Sequence, residues 1–123
     1  MLIGGKTEQA VHELRVATEI IEIVRQEMER RRLSGIREVG LRLGALSGFD
    51  AGALTFSFEA AIVETPLDGA VLKIEQVPVK GTCRSCSHAF EVNEFVFICP
   101  QCGSTDLDMT QGEELDIIYL IEK

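Results

Sequence analysis

The sequence predicts an α/β protein: a small mixed sheet with two helices, interrupted by an inserted four-cysteine module. Three observations carry this reading. Apolar residues recur at helical spacing in two segments and alternate at strand spacing in others. The segments run in the order helix, strand, helix, strand, cysteine module, strand. All four cysteines fall within one polar, turn-rich stretch ahead of the final strand.

The first ten residues, MLIGGKTEQA, hold two glycines and no apolar period, and read as a loose N-terminal extension, 1–10. From about His12 to Leu33 the pattern is helical. Leu14, Ala17, Ile21, Val24 and Met28 recur at three- and four-residue steps, with Ile20 alongside. Glu27 and Arg31 are spaced as i,i+4 partners, and Arg30, Arg31 and Arg32 crowd the end where cations suit the helix dipole. Gly35 ends the helix. In Ile36–Leu43, Val39, Leu41 and Leu43 face one way and Glu38, Gly40 and Arg42 the other, which is a strand with one buried face. Ser47 or Asp50 caps a second helix, in which Leu54, Phe58, Ala61 and Ile62 share a face and Thr65-Pro66 is the stop. Ala70–Val77 is a further strand closed by Pro78. Leu115–Ile121 is apolar on both faces and reads as a strand interior to the sheet. The β-α-β order implies a parallel pair with a right-handed crossover. The division that follows is an α/β domain, 11–80 plus 113–123, with the module 81–112 inserted.

At 123 residues the chain is one domain with room for an insertion, and 46% apolar residues permit a packed core. Twelve basic against twenty acidic residues give a net charge of −8, which disfavours phosphate backbones and so nucleic acid. No apolar run reaches the roughly 18 residues of a transmembrane helix, so no membrane partner is expected. The N-terminus carries no secretory pattern, which points to the cytoplasm and to reduced thiols. Only two histidines occur, His12 and His88. No phosphate loop, dinucleotide-binding glycine motif or Ser/His/Asp spacing is present. The acidic residues Asp106, Asp108, Glu113 and Glu114 sit in turn-like stretches and read as exposed charge. These parts do not assemble an enzyme.

Cys83, Cys86, Cys99 and Cys102 form two C-x-x-C pairs. Two such turns can present four sulfurs at the corners of a tetrahedron around zinc. Pro100 and Gly103 favour the tight turn around the second pair. Two disulfides would need an oxidising compartment, and a redox dithiol normally uses a single C-x-x-C. Four protein thiolates leave no open position, so the zinc is read as structural. The apolar run Phe95-Val96-Phe97-Ile98 is too short to build a core, so metal should drive folding of the module. His88 reads as a polar turn residue or an alternate zinc ligand. His12, taken alone, reads as a surface residue.

Val11-His12-Glu13-Leu14 resembles the Met-His-Glu-Leu start of the HypA/HybF family of hydrogenase maturation nickel metallochaperones. The similarity continues through Val39-Gly40-Leu41-Arg42-Leu43-Gly44, Leu54-Thr55-Phe56-Ser57-Phe58-Glu59 and Leu72-Lys73-Ile74-Glu75, then the double C-x-x-C and a last strand. It spans roughly residues 11 to 122. Many zinc ribbons share the cysteine pattern; its combination with the His-Glu step is far more specific. The resemblance implies a nickel-binding α/β domain with a zinc ribbon. It implies transient Ni²⁺ cargo, delivered to the large subunit of a [NiFe]-hydrogenase with a partner GTPase, and in some relatives to urease. Monomer and homodimer both stay open. In the family, nickel is held by the terminal amine, nearby backbone amides and the His after Met, which maps here onto His12 with Glu13 beside it. Planar nitrogen coordination suits Ni²⁺, and because amides must lose protons the affinity should rise with pH. This chain departs from the pattern in placing the His at position 12 after Val11; a start at Val11 would restore the family's N-terminus. A second departure is Gly103, where some relatives carry a His. The competing reading is a generic zinc-ribbon interaction adaptor without nickel.

Overall fold

A computed structural model describes residues 3–123, with side chains from His12 onward. The elements are α1 (Ile3–Arg31), β1 (Ile36–Gly44), α2 (Ala51–Ala61), β2 (Val71–Val77), β3 (Val79–Cys83), β4 (Ala89–Val92), β5 (Leu107–Gln111) and β6 (Leu115–Glu122). They form two three-stranded sheets, ordered β2-β1-β6 and β4-β3-β5. β1 runs parallel to β2, with Val39 beside Leu72, and antiparallel to β6, with Val39 beside Leu120. The β-α-β unit therefore closes as a parallel pair, and the sheet is mixed.

Two expectations are corrected. The helix reaches back to Ile3, so residues 3–10 are helical and not a loose extension; residues 1–2 lie outside the described residues. The reason is local: Lys6, Glu8, Gln9 and Ala10 are good helix formers, and adding turns to an existing helix needs no new nucleus. The last strand is at the edge of its sheet, and β1 is the interior one. Because both β2 and β6 pair with β1, the apolar residues of β6 lie over one neighbour only. Leu115, Ile118 and Tyr119 all stay more than a third exposed.

Both helices contribute to a single core. α1 buries Val16, Ala17, Ile20, Ile21, Val24 and Met28, and α2 buries Leu54 and Phe58. They meet Ile36, Val39, Leu41 and Leu72 of the sheet. Each fully buried side chain of this size contributes about 1.5–3 kcal/mol. The buried stripe of α1 runs through Val16 and leaves Leu14 on its exposed flank. Asp50 caps α2: its Oδ2 accepts from the Ala53 N–H at 2.8 Å. Glu27 pairs with Arg30 and, at 3.7 Å, with Arg31, as the spacing predicts. No helix among the described residues is long and apolar enough to cross a membrane.

The two sheets join where β1 ends. The Gly44 N–H donates to the Glu114 carbonyl at 2.7 Å, and the Leu46 N–H donates to the Gly112 carbonyl at 2.6 Å. A Cβ on Gly44 would lie 2.0 Å from the Gly112 oxygen, so only glycine fits this crossing. The small sheet begins at Val79, directly after Pro78, two residues ahead of the boundary read at 81.

Candidate metal centres

The four cysteines converge. Their Sγ atoms all lie within 4.8 Å of one another, with Cys83–Cys102 at 3.5 Å and Cys86–Cys99 at 3.6 Å. Zinc–sulfur bonds of about 2.3 Å imply tetrahedral sulfur–sulfur edges of about 3.8 Å. The donor set therefore fits a closed Zn²⁺ site held by Cys83, Cys86, Cys99 and Cys102.

The backbone explains the convergence. Both C-x-x-C turns repeat one hydrogen-bond pattern. Ser87 N–H donates to Cys83 O at 2.8 Å and Gly103 N–H to Cys99 O at 2.9 Å. Cys83 N–H donates to His88 O and Cys99 N–H to Ser104 O, both at 2.9 Å. The fifth residue of each turn takes a positive φ, 66° at Ser87 and 77° at Gly103. Glycine adopts this conformation freely, whereas Ser87 adopts it against its Cβ. The turns are tied together by Ser85 Oγ to Ser104 Oγ at 3.1 Å and by Arg84, which pairs with Asp106 and Asp108.

This packing splits the thiols. Burial pushes the Cys83 thiol up, but the backbone N–H groups of Cys86 and Ser85, with the Cys102 and Cys86 sulfurs, outweigh it and bring it down to about 6. At Cys86 the His88 N–H favours thiolate, yet burial and the facing Cys99, Cys102 and Cys83 sulfurs push it up to about 12. A like charge close by disfavours a second ionisation, and a bound divalent cation removes that conflict. His88 does not join the sulfur cluster; its ring stacks on Phe90 at 5.8 Å.

The second predicted site lies on α1. His12 is exposed, while Glu13 is fully buried. Glu13 Oε2 accepts from the Asp50 N–H at 2.7 Å, at the N-terminus of α2, where the helix dipole favours an anion. Its other oxygen, Oε1, makes no hydrogen bond to the described protein atoms. The sequence named Asp50 only as a possible cap. Its main-chain contact with Glu13 carries no local signal, because 37 residues separate the two.

Comparison with known proteins decides the family. The model of the HypA family, described as hydrogenase/urease nickel incorporation metallochaperone, matches residues 11–121. The chain belongs to the HypA family. It is 37% identical over 105 residues to the hydrogenase maturation factor HypA of Desulfitobacterium hafniense, covering 85% of this chain and 92% of that one. It is 32% identical over 107 residues to the hydrogenase maturation factor HybF of Klebsiella pneumoniae, covering 87% and 95%. Its fold is similar to the solution structure of the Ni metallochaperone HypA from Helicobacter pylori, with a TM-score of 0.63, 26% identity, and 89% and 96% coverage. A second solution structure, of HypA protein, matches with a TM-score of 0.69 at 26% identity. The HypA family match begins at Val11, one residue before His12, and runs through all four cysteines.

Proposed function

We propose that this HypA-family chain is a nickel metallochaperone for hydrogenase maturation, with a structural zinc in its cysteine module. The nickel is carried at the His12–Glu13 step and passed to a [NiFe]-hydrogenase large subunit in concert with a GTPase. Such a chain is a non-enzymatic carrier working in the cytoplasm. One observation supports the location best: an exposed imidazole stands one residue from a buried carboxylate anchored on α2. The anchor holds the chain direction at residue 13 while the neighbouring ligand stays open to solvent. An exposed site can pass its ion by ligand exchange, because a partner's donors reach it without unfolding the carrier.

The main-chain amides set a condition. Within a helix beginning at Ile3, the N–H groups of His12 and Glu13 belong to the i→i−4 ladder. Chelation through deprotonated amides needs those bonds open. In a helix that begins at residue 11, the same N–H groups fall among the first four, which have no intrahelical partner. The test is a nickel titration of the zinc-loaded chain beside a version beginning Met-His12-Glu13. One Ni²⁺ per chain beyond zinc, lost on His12→Ala, supports the reading; binding by the shorter version alone identifies residues 1–10 as blocking. Absence of nickel binding by both versions defeats it and leaves the zinc-ribbon adaptor.

A further inference from the structure

We propose that the groove between α1 and the free edge of β6 docks a short, extended segment of a partner protein in which apolar and basic residues alternate. This inference stands apart from the nickel reading. Three observations carry it.

The outer edge of β6 has no partner strand among the described residues. Unpaired edge groups are a template for an added strand. Ile118 is an extra residue in the β1–β6 register, since Gly40 pairs with Tyr119 and Leu41 with Ile117. That bulge divides the edge, and the part that borders the groove is the short stretch Leu115–Ile117.

That stretch forms one wall of a groove of about 340 Å³. Ile20 and Ile23 of α1 face Leu115 and Ile117 across it. Ile23 is 51% exposed and Leu115 37%. Both gain burial if an apolar side chain enters the groove.

The charges select the occupant. Glu19 of α1 lines the groove, and Asp116, between Leu115 and Ile117, points to the other face of β6 beside Arg42, which is itself held by Glu75 at 3.1 Å. Glu113 and Glu114 precede the strand, and its terminal cation, Lys123, turns away to the Asp68 carbonyl at 3.4 Å. A second copy of this chain would bring a net charge of −8 and the same carboxylates. Lys or Arg on alternate positions of an added strand would instead meet Asp116 on the face away from α1, while the intervening apolar residues enter the groove.

The probe is a capped ten-residue peptide alternating valine with lysine, added to the ¹⁵N-labelled, zinc-loaded full chain. Its counterpart alternates valine with glutamate. Amide shifts confined to residues 16–23 and 113–118, with the lysine peptide alone, are the expected result. Raised salt, Asp116→Lys and Ile23→Ser should each weaken that binding about tenfold, while nickel uptake by the two variants stays unchanged. Both residues are exposed, so neither variant should lose the fold. Shifts elsewhere only, equal binding of the glutamate peptide, no binding at millimolar peptide, or a dimer that itself covers β6 would each overturn the proposal.

Discussion

Removing zinc should unfold the cysteine module while leaving the α/β domain intact. The structure separates the two cleanly. None of the fifteen buried residues of the main core, nor of the six partly buried residues packed on it, lies between Val79 and Gln111. Within the module the buried apolar side chains are Val79 and Val92, beside the ligands Cys83 and Cys99 themselves. Two valines contribute about 3–6 kcal/mol, an upper value because the unfolded chain already buries some surface. A structural zinc contributes roughly 10–16 kcal/mol at neutral pH. Phe95, Val96, Phe97 and Ile98 add little, since each stays exposed. The metal is therefore the main stabilising term in this segment. The assay is hydrogen exchange on the reduced chain before and after chelation of one zinc equivalent. Protection should vanish in 79–111 and persist in α1, β1 and α2. Retained protection in 79–111 would refute the reasoning, as would simultaneous opening of the α/β core.

Zinc affinity should fall as pH falls. Cys86, at about 12, already holds a proton that the metal must displace at neutral pH, and as pH drops through about 6 the Cys83 thiolate also becomes a proton acceptor; a competition titration between pH 8 and pH 5 measures this. Asp50→Ala should cost about 1 kcal/mol in urea denaturation through loss of the α2 cap. The Glu13 contact should survive that change, because it uses the Asp50 main chain. Phe58→Ala, at a fully buried site, should cost about 3–5 kcal/mol, whereas Phe56→Ala, at a side chain 74% exposed, should stay within about 0.5 kcal/mol in the same assay.

The legible parts of the fold were those fixed by local pattern. The period through Ala17, Ile21, Val24 and Met28 places the α1 core face, and Val39, Leu41 and Leu43 place that of β1. The four cysteines were legible because metal geometry demands a narrow spacing. Sequence pattern was weaker where pairing decides. The apolar residues of β6 would suit an interior strand, but β1 holds the central position between β2 and β6, and β6 is left at an edge. Residues 3–10 carry no apolar period, so hydrophobic pattern alone does not mark them as helix. Glu13 gives no sign of burial in a stretch with Arg15 and Glu19 nearby. Its anchor comes from α2, beyond any local window.

The junction of the sheets links the cysteine site to the stretch that carries His12. Val79 and Gln111 pass the module's strands into the main domain at Gly112, whose carbonyl accepts from Leu46. Leu46 belongs to the loop that follows β1 and leads to Asp50. The Asp50 N–H in turn holds the carboxylate of Glu13, next to His12. The loop is thus clamped at one end by the exit of the zinc module and at the other by the buried acid of α1. Gly44 and Gly112 approach too closely for any other residue at Gly44, so the first clamp has little freedom to slide. A change in how the module sits would act on this loop before it could act on the main core, which shares no buried residue with the module. The short route from the cysteine site to His12 therefore runs from the Gly112 carbonyl through residues 46–50 to the Glu13 carboxylate.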